Sequence, residues 1–302
     1  MTRIAIIGSG VVGSATGKGF HKMGHKVIFY DVLKDQLLPL LEHGYCISEN
    51  IKDVISKSDV SFVCVNTPNN YGGRKQDLSQ LMSALYDIAN VLDSIRKYHL
   101  VVFRSTILPG TMRNVILDYL EKNCSSQRGK DYDICYNPEF LRERTALDDF
   151  MNPDRVVIGL EHKNTKISSR SSSFPYLLLK KLYGQLTKNI IVTDYESAEL
   201  IKYASNCFLA LKISFFNEIG MICKQLDIDD KVVSQVVSLD KRIGAYGIVA
   251  GNPFDGSCLP KDIEVFVSFM KKLEIDPDLI GVALRINDLC KPNLSSIDSV
   301  IV

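Results

Sequence analysis

The chain has almost no charge imbalance: 36 Lys and Arg stand against 35 Asp and Glu in 302 residues, a formal net charge of +1. There is no basic surplus of the kind that binds nucleic acid, and no charge block to draw it to a membrane surface. No apolar run approaches the roughly 18 residues of a membrane span. Residues 2–7, TRIAII, read as the first strand of the fold, so no secretory leader is expected. The eight cysteines (Cys46, Cys64, Cys124, Cys135, Cys207, Cys223, Cys258, Cys290) include no CxxC pair, and the 5 His form no HExxH or other ligand pattern. This argues against a disulfide framework or a metal site and for reduced thiols in a cytoplasmic protein. Internal repeats and low-complexity segments are absent as well.

What is present is an alternation of apolar runs and amphipathic stretches. Strands are expected at Arg3–Ile7, Lys26–Tyr30, Val60–Val65, Leu100–Arg104 and Asp133–Tyr136, with helices such as Val11–Met23 and Leu78–Arg96 between them. Strands separated by helices make βαβ units and a parallel sheet. Arg155–Gly159 and Asn189–Val192 extend that sheet, and the Ser- and Lys-rich stretch 163–173 between them reads as an exposed loop. The character changes near residue 194. Asp194 is a candidate N-cap for a helix through about Leu226, roughly 50 Å if unbroken. Helices at Asp230–Leu239, Pro260–Leu273 and Pro277–Leu289 follow. The expectation is an α/β chain: a Rossmann-type parallel-sheet domain over 1–193, then a long central helix and an all-helical domain over 194–302. Leu200, Ala204, Cys207, Leu211 and Phe215 recur at helical spacing and suggest a homodimer built on the long helix. The tail 292–302 holds a short apolar run.

Two stretches carry chemistry. The first is GSCLPKD, Gly256 to Asp262. Pro260 suits the first turn of a helix, so Cys258 lies just before a helix N-terminus. The positive potential there, with Lys261 close by, favours thiolate over thiol. Asp262, four residues on, lies on the same side of that turn. A lone Cys in such a place is ordinarily a packing residue, so the rest of the chain decides its meaning.

The second is GSGVVG, residues 8–13, which directly follows a strand and opens a helix. Gly8 permits the turn, Gly10 lets the backbone approach a pyrophosphate, and Gly13 allows close helix–strand packing. The helix start, with Val11 and Val12, offers N–H groups to the phosphates. Asp31 stands where an acid accepts from the adenosine ribose and repels a 2′-phosphate, which favours NAD. Lys34 keeps NADP open as a minor reading.

NAD beside a nucleophilic Cys suggests oxidation through a covalent thiohemiacetal and thioester. Here the chain resembles the UDP-glucose/GDP-mannose dehydrogenase family, nearest its UDP-glucose-oxidising members, over about residues 1–291. VNTPNN (Val65–Asn70) is similar to the family's P-T-P loop, which brings Thr67 and Pro68 to the cofactor, with Asn66 differing. RSTILPGT (Arg104–Thr111) resembles K-S-T-x-x-x-G-T and makes Thr106 a candidate for holding a catalytic water beside the cofactor. YNPEFLRERTALDDFMNPDRVVIG (Tyr136–Gly159) is similar throughout. That match gives Glu139 a role with water in thioester hydrolysis, sets Phe140 and Leu141 at the substrate, and puts Glu143 by the nicotinamide end. AELIKYASNCFLALKISFFNE (Ala198–Glu218) resembles the central helix, with Lys202 and Asn206 one turn apart. KRIGAYG (Lys241–Gly247) resembles the sugar-binding segment, whose Arg242 and Tyr246 are expected at substrate with Gly256, Arg242 across a dimer.

The resemblance implies NAD-dependent oxidation of a sugar CH2OH to a carboxylate. Asp262 takes the hydroxyl proton, Lys202 and Asn206 stabilise charge on oxygen, Cys258 captures the aldehyde, and Thr106 with Glu139 holds the hydrolytic water. Two departures stand out. The family's G-x-G-F-G-G-S-C is GNPFDGSC here, Gly251 to Cys258, where Pro253 stiffens the loop and Asp255 adds an acid near the expected substrate phosphates. Family members also continue into a third domain that closes over the site, so weak nucleotide-sugar affinity is expected of these 302 residues taken alone. Three other readings stay open: the same chemistry on another nucleotide sugar, nucleoside or small alcohol; a β-hydroxyacid dehydrogenase, which needs no Cys; and a non-catalytic NAD-binding assembly protein.

Overall fold

Segments such as RIAII, VSFV and HLVVF are buried along nearly their whole length, as expected of parallel strands covered on both faces. They lie in a computed structural model that describes residues 1–70, 75–161, 173–256 and 258–291. The stretch 163–172 and the tail 292–302 fall outside the described residues.

The order of elements is β1 (Arg3–Ile7), α1 (Val11–Lys22), β2 (Lys26–Tyr30), α2 (Lys34–Glu42), β3 (Cys46–Ile47), α3 (Ile51–Ser56), β4 (Val60–Val63), α4 (Ser79–Ser94) and β5 (His99–Phe103). A π-helical turn, Met112–Leu117, runs on into α5 (Asp118–Asn123), followed by β6 (Tyr132–Tyr136). A short 3-10 turn, Glu143–Thr145, leads into α6 (Ala146–Met151), then β7 (Val156–Leu160), α7 (Phe174–Tyr183) and β8 (Ile190–Asp194). Among the described residues, only helices follow: α8 (Tyr195–Leu226), α9 (Asp230–Ser238), α10 (Leu259–Lys272) and α11 (Asp278–Cys290).

The strands form one 8-stranded sheet in the order β3-β2-β1-β4-β5-β6-β7-β8. The pairs are parallel except β6 with β7, which is antiparallel. The order reverses between β1 and β4, and a doubly wound sheet opens its ligand crevice at such a point. One core cluster joins Val63, Leu85, Val101, Phe103 and Tyr195. A second joins Ile4, Phe20, Phe29, Phe62 and Leu182. The expected α/β architecture with a helical second part is borne out.

The chain divides into two compact units, Met1–Pro68 with Gln76–Lys202, and Asn69–Lys75 with Tyr203–Val302. The long helix α8 passes from the first into the second. Its start is fixed by Asp194, whose Oδ1 accepts from the Ser197 N–H at 2.7 Å. Within the second unit, Tyr203 stacks on Phe266 at 5.3 Å. Buried Asn287 accepts from the Phe254 N–H at 2.6 Å and donates to its carbonyl at 3.1 Å. By length and composition α8 is apolar enough to cross a membrane, which corrects the expectation that no stretch reaches that mark. Yet it carries buried Glu199, Lys202 and Asn206, each hydrogen-bonded. The proposed apolar stripe also needs correction. Cys207 is buried beneath the helix, while Leu200, Ala204, Phe208, Phe215 and Ile222 are exposed.

Candidate active site

The loop after β1 has the form the sequence requires. Gly8 has φ +91°, and a Cβ there would lie 2.8 Å from the Cys64 carbonyl carbon and the Val65 nitrogen. A Cβ on Gly13 would collide with the Gly8 carbonyl oxygen and press on the Ile6 side chain, so α1 packs this close to β1 only because the residue is glycine. Nothing lies within 4 Å of where a Cβ would stand at Gly10. The space in front of the helix start is therefore open, as a pyrophosphate needs. Asp31 follows β2, and its Oδ2 accepts from the Ser9 N–H at 2.6 Å and its Oδ1 from Leu33 N–H at 2.9 Å. The carboxylate is thus fixed against the glycine loop, with lone pairs left for ribose hydroxyls. Lys34 forms an exposed pair with Glu49 at 2.7 Å. Val11, Ser14, Lys18 and Glu143 help to line a cleft of about 400 Å³ beside α1. Val12 packs on the second core cluster.

Across the switch point, Thr67 donates through Oγ1 to the Thr106 carbonyl at 2.6 Å. Gln76, which sequence reasoning missed, donates to the same carbonyl at 2.7 Å and accepts from Leu108 N–H at 3.3 Å. The Arg104–Thr111 loop is thereby strapped to Thr67 and Gln76 within the first unit. The tie runs between residues 30 apart or more, and nothing in the local pattern announces it.

Glu139 and Lys202 form a buried ion pair: Nζ donates to Oε1 at 2.6 Å, with side chains 4% and 3% exposed. Leu141 N–H donates to Glu139 Oε2 at 2.6 Å. Burial pushes the Glu139 carboxyl up, but Lys202, the Leu141 N–H and Arg104 outweigh it, and the group stays ionised below its ordinary range. The Phe140 ring lies with Arg155 at 4.1 Å and the Lys202 ammonium at 5.7 Å from its centre.

In the second unit, Cys258 occupies the N-cap position of α10, with Pro260 in the first turn. Its carbonyl accepts from Asp262 N–H at 2.9 Å. The Asp262 carboxylate, 1% exposed, accepts from Asn206 Nδ2 at 2.7 Å and from Lys261 Nζ at 2.5 Å. Lys261, read from sequence as a neighbour of the thiol, donates here to the carboxylate. Asn69 adds a tie that was not foreseen, donating to the Lys261 carbonyl at 3.2 Å and to Glu264 at 3.1 Å. Arg242 is exposed and paired with Asp240 at 2.6 Å, Tyr246 is exposed, and Gly256 has φ +82°. The segment carrying Arg242 is held by Lys212, which donates to the Ile243 and Gly244 carbonyls at 2.6 and 2.9 Å. The first unit thus gathers Thr67, Thr106, Glu139 and Lys202 around the ends of β4, β5 and β6. The second gathers Asn206, Cys258 and Asp262.

Residues 2–187 match the NAD binding domain of the UDP-glucose/GDP-mannose dehydrogenase family, and residues 196–289 match its central domain. The chain belongs to this family. Its cofactor is NAD, and the open cradle at Gly10 and the fixed Asp31 carboxylate fit that group. The chain is 35% identical to a UDP-glucose 6-dehydrogenase of Rickettsia bellii, covering 94% of this chain and 66% of that protein. To a GDP-mannose 6-dehydrogenase of Pseudomonas putida it is 34% identical, covering 95% and 68%. A solved UDP-glucose dehydrogenase from Pyrobaculum islandicum superposes with TM-score 0.83 at 33% identity, covering 96% of this chain and 68% of that one. The chain spans about two thirds of the length of the curated relatives it matches.

Proposed function

We propose that the chain carries out the NAD-dependent oxidation of the primary alcohol of a nucleotide sugar, UDP-glucose first, to a carboxylate. The observation that carries this reading is Cys258 at the start of α10, with Asp262 buried one turn on and hydrogen-bonded to Asn206, in a chain whose first part is the family's NAD-binding domain. NAD, when bound, accepts a hydride in each of two oxidations. The glycine loop and the start of α1 would hold its phosphates and Asp31 its ribose, with Thr67, Pro68 and Thr106 beside the cofactor and Glu143 by its nicotinamide end.

The remaining chemistry belongs to the side chains. Asp262 takes the proton of the sugar hydroxyl as the first C–H bond breaks. Lys202 and Asn206, one turn apart on α8, stabilise negative charge on that oxygen. The Cys258 sulfur adds to the aldehyde carbon, and a second oxidation leaves a thioester. Glu139, kept ionised by Lys202, accepts a proton from the water that Thr106 positions. That water adds to the thioester carbon, the C–S bond breaks, and Cys258 regains its thiol. Phe140, Leu141, Tyr246 and Gly256 contact the substrate, and Arg242 reaches it from a second copy of the chain.

The reading includes a homodimer through the exposed face of α8 and, from the pattern of reduced thiols, a cytoplasmic location. It includes no nucleic-acid or membrane partner. GDP-mannose is the second candidate substrate, since a relative named for it stands at nearly the same identity. Absorbance of NADH over a panel of nucleotide sugars and free alcohols tests the reading. Turnover of UDP-glucose is expected, and turnover of a free alcohol alone would contradict it.

A further inference from the structure

The Arg104–Thr111 loop is held at both ends, and its C-terminal end is held in an unusual way. Glu199, fully buried on α8, accepts from Gly110 N–H through Oε2 at 2.6 Å and from Met112 N–H through Oε1 at 2.7 Å. These are the donors at the start of the helix that runs through residues 112–123, and a carboxylate there is electrostatically favoured. Such donors are ordinarily met by the residue at the N-cap itself. Here that residue, Thr111, turns its hydroxyl back to the Leu108 carbonyl at 2.7 Å, and the acceptor comes from 87 to 89 residues away in sequence. Burying a carboxylate is costly. Burial pushes Glu199 up to about 8 even against its two N–H donors, with Glu196 adding to the rise and Arg113 opposing it. A helix start alone does not require that arrangement.

What the arrangement accomplishes is coupling. Three residues along α8 stands Lys202, which donates to Glu139. One turn of one helix therefore fixes both groups assigned to the hydrolytic water: the Thr106 loop through Glu199, and Glu139 through Lys202. The other end of the loop is strapped by Thr67 and Gln76 at the Thr106 carbonyl, so Glu199 completes a two-ended clamp on the segment Thr106 to Met112. Glu196 adds an ion pair to Arg113 just beyond it.

We propose that Glu199 is a positioning residue for the water-dependent half of the reaction: it holds the Thr106 loop in register with Glu139 through a shared turn of α8. This rests on the function proposed above. The step it serves is thioester hydrolysis, in which water oxygen bonds the acyl carbon, the carbon–sulfur bond to Cys258 breaks, and the water proton passes to Glu139. The two oxidations do not use that water, and Thr67 and Gln76 still hold the Thr106 carbonyl on the cofactor side when Glu199 is altered, so a defect at Glu199 falls mainly on the hydrolytic half.

The test is Glu199→Gln, run at pH 9, above the value of about 8 to which burial pushes the parent's carboxyl, so that an ionised acceptor of two N–H groups is compared with an amide that keeps size but turns an NH2 toward one of them. Calorimetric NAD affinity should stay within about twofold of the parent. In stopped-flow with NAD and UDP-glucose, NADH formation in the first turnover should stay within about threefold, while steady-state turnover falls at least about tenfold and intact mass shows an acyl adduct on Cys258. Amide exchange of the peptide covering residues 107–112 should quicken at least about tenfold. Equal loss in both kinetic phases, or loss in neither, overturns the proposal, as does unchanged exchange in that peptide. If the Gln variant does not fold, Glu199→Asp carries the same test, because its shorter carboxylate reaches one N–H and not both. A parent chain that binds NAD but forms no NADH from any nucleotide sugar would refute the proposed function and the role of Thr106 with it. The exchange measurement would still decide whether Glu199 holds the loop.

Discussion

Replacing Lys202 by Met separates the electrostatic role of the Glu139–Lys202 pair from its chemistry. The pair is buried, with Nζ 2.6 Å from Oε1 and both side chains almost wholly covered. Met keeps the length of the stem and removes the charge, leaving Glu139 buried with Leu141 N–H and the more distant Arg104 as its remaining support. Breaking a buried pair from one side costs about 3–5 kcal/mol. For a unit of about 200 residues each kcal/mol is worth roughly 2–4 °C in Tm, so melting should fall by about 6–20 °C at neutral pH. The pH dependence has a definite sign. In the parent the folded Glu139 pKa is depressed, so its contribution is present above the unfolded pKa and fades as pH falls through the folded value. In Lys202→Met burial dominates and the folded pKa rises above the unfolded one. The penalty is then absent below the unfolded pKa and grows as pH rises through the folded value. Scanning calorimetry from pH 5 to 8 should show the deficit widening with pH, and Glu139→Gln with Lys202→Met should recover most of it. A loss under about 2 °C, a deficit that is flat in pH, or a double variant as unstable as the sum of the singles would refute this account.

Other outcomes follow from the same geometry. Asp31→Ala removes the acceptor for Ser9 and Leu33 N–H and the proposed ribose contact; losing a charged acceptor costs about 1.5–3 kcal/mol, roughly 10- to 100-fold in Kd. Calorimetry with NAD and NADP should show that loss for NAD and a narrowed preference, and unchanged NAD affinity would mean that Asp31 does not touch the ribose. Cys258→Ser should bind NAD normally and form no acid, because a serine hydroxyl is a far weaker nucleophile near neutral pH; acid formed at the parent rate would remove the covalent mechanism. Light scattering should give about twice the 33.8 kDa chain mass, and Phe208→Glu with Phe215→Glu should halve it. A strictly monomeric, active parent would sink the dimer.

Features set by neighbours in sequence were legible, and features set by distant partners were not. Gly8, Gly13 and Asp31 act through a turn, a close approach and a strand end, each fixed by local spacing, and all stand as expected. So do the first two strands, to the residue, and Cys258 at a helix start. The boundaries of β4, β5, β6, β7 and β8 shift by a residue or two because apolar runs do not mark where pairing stops. Helix α3 has only one and a half turns, too short for a periodicity, although Asn50 capping Lys52 and Asp53 N–H was a readable signal. Pro39 inside α2 masked that helix. The antiparallel pairing of β6 with β7 is revealed by no pattern in either strand. At the site, the types of the acids and amides were clear but their pairing was not. Asn206 meets Asp262 across 56 residues and Lys202 meets Glu139 across 63, and only the folded chain shows that Lys261 answers Asp262. The straps from Gln76 and Glu199 gave no sequence signal beyond a polar residue in an ordinary place.

The central claim is that one carbon is oxidised twice on one cysteine. It is tested most directly by counting NADH formed per sugar acid released, with saturating NAD and UDP-glucose, while following the mass of the intact chain during turnover. Two NADH per acid and a transient acyl adduct on Cys258 are expected. One NADH with released aldehyde, or two NADH with Cys258 never modified even when hydrolysis is slowed, would contradict it.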